Sequence, residues 1–96
     1  MTVGFHPDAE TEFLDSISYY EGQSPGLGAT FRMAVDEAIE QAASTPLLWP
    51  VFSQRARRCL IRRFPYGILY RVGTEGIYIV AVMNLHRHPD YWKHRR

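Results

Sequence analysis

Tyr66-Gly67-Ile68-Leu69-Tyr70-Arg71-Val72-Gly73-Thr74-Glu75-Gly76-Ile77-Tyr78-Ile79-Val80-Ala81-Val82-Met83 is two strand-forming runs around a turn. Branched and aromatic side chains dominate both runs, and the four residues from Gly73 to Gly76 are too few for anything but an antiparallel return. A third run, Arg58 to Phe64, leads in through Phe64-Pro65-Tyr66-Gly67, so three consecutive antiparallel strands are expected. Period-two alternation places Ile68, Tyr70 and Val72 on one face, with Cys59 and Ile61 beside them. Arg58, Leu60, Arg62, Leu69 and Arg71 then point the other way. The last run is apolar on both sides, Ile77, Ile79, Ala81 and Met83 against Tyr78, Val80 and Val82, so both sides of the sheet need cover.

Upstream lie the elements that can cover one side. Ala9, Phe13, Ile17 and Tyr20 recur at helical spacing behind Pro7, with Asp8, Glu10 and Glu12 where the helix dipole favours anions. Gly22-Gln23-Ser24-Pro25-Gly26 breaks this helix, and Leu27, Phe31, Ala34, Val35, Ala38, Ile39 and Ala42 trace a second one as far as Pro46. Thr2 to His6 reads as a short first strand. The connection from Thr45 to Ala56, with Leu47, Leu48 and Trp49 between Pro46 and Pro50, is expected to pack onto the core. The order is β-α-α-β-β-β, an α+β two-layer fold with a helical hairpin on one face of a mainly antiparallel sheet. Cover for the second face comes either from the chain's own C-terminal segment or from another protein.

Ninety-six residues, 46% hydrophobic and 22% charged, suit a single domain over residues 1–96 with a packed core. One cysteine, Cys59, makes no internal disulfide. The start of the chain lacks the pattern of a signal peptide and no apolar run is long enough to span a bilayer, so a cytoplasmic, membrane-free protein is expected. The net charge of +1 conceals a division. Residues 1–50 carry eight acidic side chains against Arg32 alone. Residues 51–96 carry every other cation, nearly all arginine, against Glu75 and Asp90. Guanidinium groups fork onto paired oxygens, so phosphate or carboxylate partners fit this half.

Several stretches together resemble the RelE/ParE toxin superfamily. They are Phe5-His6-Pro7, Tyr19-Tyr20, Pro25-Gly26-Leu27-Gly28, Arg57-Arg58, Phe64-Pro65-Tyr66-x-x-x-Tyr70, and Val80-Ala81-Val82 followed by Arg87-x-Pro89-x-Tyr91-Trp92. The likeness runs nearly end to end and is closest to the ParE-like plasmid-stabilisation branch. It implies the toxin of a type II toxin-antitoxin module, held in a hetero-oligomer by a cognate antitoxin that would wrap the apolar sheet face at Leu60, Leu69, Tyr78, Val80 and Val82. ParE-like members act on DNA gyrase, whereas RelE-like members cut messenger RNA on the ribosome. A third reading is a non-toxic homologue or a basic nucleic-acid-binding module.

RNA cleavage by a 2′-hydroxyl needs a proton acceptor, a cation for the phosphate and a proton donor for the leaving oxygen. Aligned on Tyr66-x-x-x-Tyr70, the cleaving branch's basic residues fall on Arg58 and Arg87, while two others fall on Leu60 and Gly67. Its C-terminal tyrosine falls on Lys93, next but one to Tyr91. A nuclease would therefore use Arg58, Arg62 and Arg87 as phosphate clamps, with His88 or Tyr91 nearest the proton transfer. A target-binding surface would draw on Arg58, Arg62, Arg71, Arg87, Trp92 and Lys93, where an aromatic ring among cations suits base stacking. The acidic first helix reads as solvated. His86-x-His88 lacks metal-ligand spacing and the glycines lack a phosphate-loop pattern, so neither metal nor cofactor is expected.

Overall fold

The computed structural model describes residues 2–95. Strand β1 (Thr2–Phe5) runs into helix α1 (Pro7–Gln23), with Pro7 in its first turn. His6 caps that helix, its Nδ1 accepting from the Asp8 amide at 3.0 Å. Helix α2 (Leu27–Ser44) starts after Gly26, whose φ of 88° is in the left-handed region that glycine enters without strain. No side chain of Gly26 can cap α2, and Glu21 of α1 takes over: its carboxylate accepts from the amides of Gly26 at 3.0 Å and Gly28 at 3.0 Å.

The same turn packs the two helices closely at Gly28. A β-carbon there would stand 2.8 Å from the Ile17 carbonyl oxygen and 2.9 Å from the Glu21 side chain. Gly28→Ala should therefore prise the hairpin apart and cost about 1–3 kcal/mol, visible as a lower denaturant midpoint with an unchanged slope.

The sheet contains β2 (Val51–Ser53), β3 (Ala56–Leu60), β4 (Tyr66–Val72) and β5 (Gly76–Asn84), in the order β1-β5-β4-β3-β2. β1 runs parallel to β5 and all other neighbours are antiparallel. The two-layer α+β architecture is as expected, with two corrections. A further strand, β2, lies in the connection before β3. It escapes a sequence reading because its hairpin turn is Gln54-Arg55, at φ 46° and 65°, without the glycine or asparagine that announces a left-handed pair. Each such residue costs about 1–2 kcal/mol. The second correction is that β3 stops at Leu60, short of Phe64. Arg63 turns left-handed at φ 72°, and Ile61 N–H already closes the turn onto the Tyr66 carbonyl at 3.0 Å.

One face of the sheet meets the helices as expected: Cys59, Ile61, Ile68 and Tyr70 join Phe31, Val35 and Ala38 in the main core. The α2–β2 connection also comes down. Trp49 packs against this core and Tyr70 Oη donates to the Pro46 carbonyl at 2.7 Å, although Leu47 and Leu48 remain exposed. Along β5 the strict alternation fails. Leu69 pairs with Ala81 and Tyr70 with Ile79, leaving Val80 as the extra residue of a β-bulge. Beyond it the faces exchange, so Ile77, Ile79 and Val82 face the helices, while Val80, Ala81 and Met83 face the other side with Tyr78.

That other side is covered by the chain itself. After β5 the C-terminal segment folds back and inserts Trp92, fully buried, into a cluster with Ala56, Leu69, Val80, Ala81 and Met83, flanked by Phe52 and Tyr91. The Trp92 indole donates to the Pro89 carbonyl at 2.7 Å, which satisfies its only polar atom. No helix among the described residues is long and apolar enough to cross a membrane.

Burial in the main core has an alkaline consequence. It pushes the Cys59 thiol from 9.0 up to about 11 and the Tyr70 phenol from 10.0 up to about 12. The unfolded chain releases these protons first, so stability is full below pH 9 and declines as pH rises through 11 and 12. A series of urea midpoints from pH 8 to pH 11 should show this fall, and Cys59→Ala should flatten its first part.

Candidate functional site

The cations of the basic half are spread over the β2 edge, the α2 side and the C-terminal segment, and most of the described guanidinium groups are already engaged. Arg95 is buried. It forks onto Glu12 of α1 through Nη1 at 2.8 Å and Nη2 at 3.1 Å, donates from Nη1 to the Val80 carbonyl at 3.1 Å, and stands 3.8 Å from the Asp8 carboxylate. Burial alone would pull this group down, but the Glu12 hydrogen bonds and the charge of Glu12 outweigh it and hold Arg95 above its ordinary value. Glu12 Oε1 also accepts from the Val82 amide at 3.1 Å, next to the bulge. One carboxylate on α1 thus ties together the irregular point of β5 and the end of the chain. The expectation that the acidic helix is merely solvated is wrong at Glu12, whose side chain is largely buried in this contact.

Around this clasp, Arg87 reaches to within 3.6 Å of Glu12 and lies 3.8 Å over the Tyr91 ring. The Tyr91 hydroxyl is held well above its usual range, first by burial and then by the neighbouring Glu12. His88 Nδ1 accepts from the Asp90 amide at 3.1 Å, closing a turn. Lys93 lies 2.6 Å from the Asp90 carboxylate, and its hydrogen bond lowers the Asp90 pKa.

The residues expected to form a nuclease do not converge. Arg62 leaves the sheet after β3 and pairs with Glu37 of α2 at 3.7 Å, on the helix side. Arg58 places its guanidinium carbon over the Phe52 ring, 4.4 Å from its centroid, on the opposite face. Gly67, where the cleaving branch carries arginine, is buried against the Arg58 stem, with only 3.1 Å between its β-carbon position and Arg58 Cγ. Arg87 and Tyr91 are adjacent, but a buried phenol shifted towards its neutral form is a poor proton acceptor.

Two other groups of expected site residues are also redistributed. Trp92 is buried under the sheet and cannot stack on a base, while Arg71 lies 5.9 Å from its ring and donates to the carbonyls of Gln54 and Arg95. Of the expected antitoxin contacts, Leu69 and Val80 are sealed beneath Trp92, and Val82 faces the helices because of the bulge. Leu60 is 51% exposed and Tyr78 half-buried, so these two stay at the surface. Glu12 was missed as an organising residue because its partner lies 83 positions away, and no local spacing carries that signal.

A family model described as the ParE toxin of the type II toxin-antitoxin system parDE matches residues 3–91. The chain belongs to the ParE toxin family. This ParE-family toxin also shares its fold with a chain of the chromosomal ParDE toxin-antitoxin system from P. aeruginosa, at a TM-score of 0.78 and 14% identity, over 90% of this chain and 97% of that one. No curated protein matches it. In this chain Phe64 and Tyr66 fill the aromatic cluster with Tyr20 and Phe31, while Tyr91 and Trp92 close the opposite face.

Proposed function

We propose that this toxin acts by protein-protein contact with DNA gyrase, without RNA cleavage, and that a cognate antitoxin neutralises it in a hetero-oligomer. The observation that carries the reading is the dispersal of the cleavage set. Arg62 pairs with Glu37 of α2, Arg87 pairs with Glu12 of α1, and Arg58 is stacked over Phe52 on the other face of the sheet, so the three expected phosphate clamps do not meet at one point. The fold instead leaves Arg55, Arg62, Arg63 and Arg87 exposed, which suits recognition of an acidic or phosphate-bearing macromolecular partner.

The purified chain added to a coupled transcription-translation extract and, separately, to a gyrase supercoiling reaction tests this directly. Supercoiling should be blocked and message should stay intact. Codon-phased breaks in the message, abolished by Arg87→Ala, would establish the ribosome-dependent nuclease instead. Normal growth on induction without antitoxin would mark a non-toxic homologue.

A further inference from the structure

At the β2 end of the sheet, Leu47, Val51, Arg55, Arg57, Arg71 and Val72 line a groove of about 450 Å³. Its walls are built from backbone that is firmly held. Arg57 Nη1 donates to the carbonyls of Trp49 at 2.6 Å and Leu47 at 3.3 Å, and Tyr70 pins Pro46, so the α2–β2 connection is fixed by its carbonyls. Leu47 is left 69% exposed, with Val51 at 56% and Val72 at 40% nearby. Arg55 stands exposed at the tip of the β2–β3 hairpin in a left-handed conformation that glycine would adopt without strain. Both central residues of this hairpin turn are left-handed, and arginine at position 55 places a guanidinium at the rim of the groove where glycine would hold the turn alone.

We propose that this groove docks an acidic, amphipathic segment of the antitoxin, with carboxylates against Arg55, Arg57 and Arg71 and aliphatic side chains against Leu47, Val51 and Val72. The identity of the partner rests on the toxin-antitoxin reading; the chemistry of the groove does not. Every lining residue is either aliphatic or arginine, a pairing that complements a peptide alternating apolar and acidic residues. A phosphate backbone would leave the three aliphatic side chains without a partner. β2 is also an edge strand, hydrogen-bonded to β3 alone, so an extended segment entering the groove finds main-chain groups to pair with as well.

The test is calorimetric titration of the full chain with the polypeptide encoded by the reading frame next to its own. Arg55→Gly should raise the thermal midpoint by relieving the turn while weakening binding by about tenfold or more. Leu47→Ser with Val51→Thr should weaken it comparably from the apolar side. A stabilised Arg55→Gly that binds like the unaltered chain overturns the docking site while leaving the antitoxin reading intact. If the unaltered chain does not bind that polypeptide, the antitoxin reading fails and the docking proposal with it. If the same substitutions instead abolish binding of a mixed-sequence RNA or DNA oligonucleotide, the groove serves nucleic acid and the peptide assignment is wrong.

Discussion

Trp92→Ala is expected to remove about 3–5 kcal/mol of folding stability, a large part of the 5–15 kcal/mol typical of a whole domain. The indole is completely buried between the end of the chain and the second face of the sheet. Truncation loses its apolar transfer energy and leaves a void that Leu69, Val80 and Met83 can fill only by moving strands. It also releases the Pro89 carbonyl that the indole satisfies. Guanidinium unfolding followed by circular dichroism measures the loss, and Trp92→Phe should recover part of it. A change below about 1 kcal/mol would show that the C-terminal segment does not seal the sheet. The destabilised variant should also expose Leu69 and Val80 and bind more of a hydrophobic dye.

The second large effect is expected at Glu12. Glu12→Ala strands the buried Arg95 guanidinium without its bidentate partner and leaves the Val82 amide without its acceptor, at a cost of about 3–5 kcal/mol. Most of that cost is the penalty of an uncompensated buried charge, so Glu12→Ala combined with Arg95→Met should be clearly more stable than Glu12→Ala alone. A double-mutant cycle with no coupling between the two positions would refute the clasp. Arg87→Met should contribute little by comparison, since its side chain is 55% exposed and its ion pair with Glu12 is solvated.

These two expectations mark the places where sequence reasoning and structure diverge. The face assignment along β3 and β4 holds as far as Tyr70, where Ile68, Tyr70, Cys59 and Ile61 lie together as their alternation requires, but Val72 at the end of β4 lies outside the helix-covered core and is 40% exposed. It fails beyond Val80, because one extra residue in a ladder reverses every later side chain and an unbroken run of apolar residues carries no trace of the slip. It also fails at β2, where the strand is three residues long and its turn lacks the residues that normally signal left-handed backbone. The charge division between the halves was legible, but not its use. The acidic first helix and the basic C-terminal segment are opposite poles of one intramolecular clasp at Glu12 and Arg95, rather than a bare cationic surface.

What the sequence determined by itself is whatever local periodicity encodes: two helices with a break before Leu27, which the structure places at Ser24 to Gly26, a meander of antiparallel strands, a helix-facing core, and membership of the ParE toxin family. What only the tertiary structure decided is which residues remain for a partner. That depends on Trp92 closing the second face, on the bulge turning Val82 inwards, and on the buried pairing of Arg95 with Glu12. Each of these joins residues distant in the chain or shifts a register by one. The physical reason is that burial and charge pairing are set by contact in space, whereas a pattern of residues along a chain specifies only which side of its own element each one occupies.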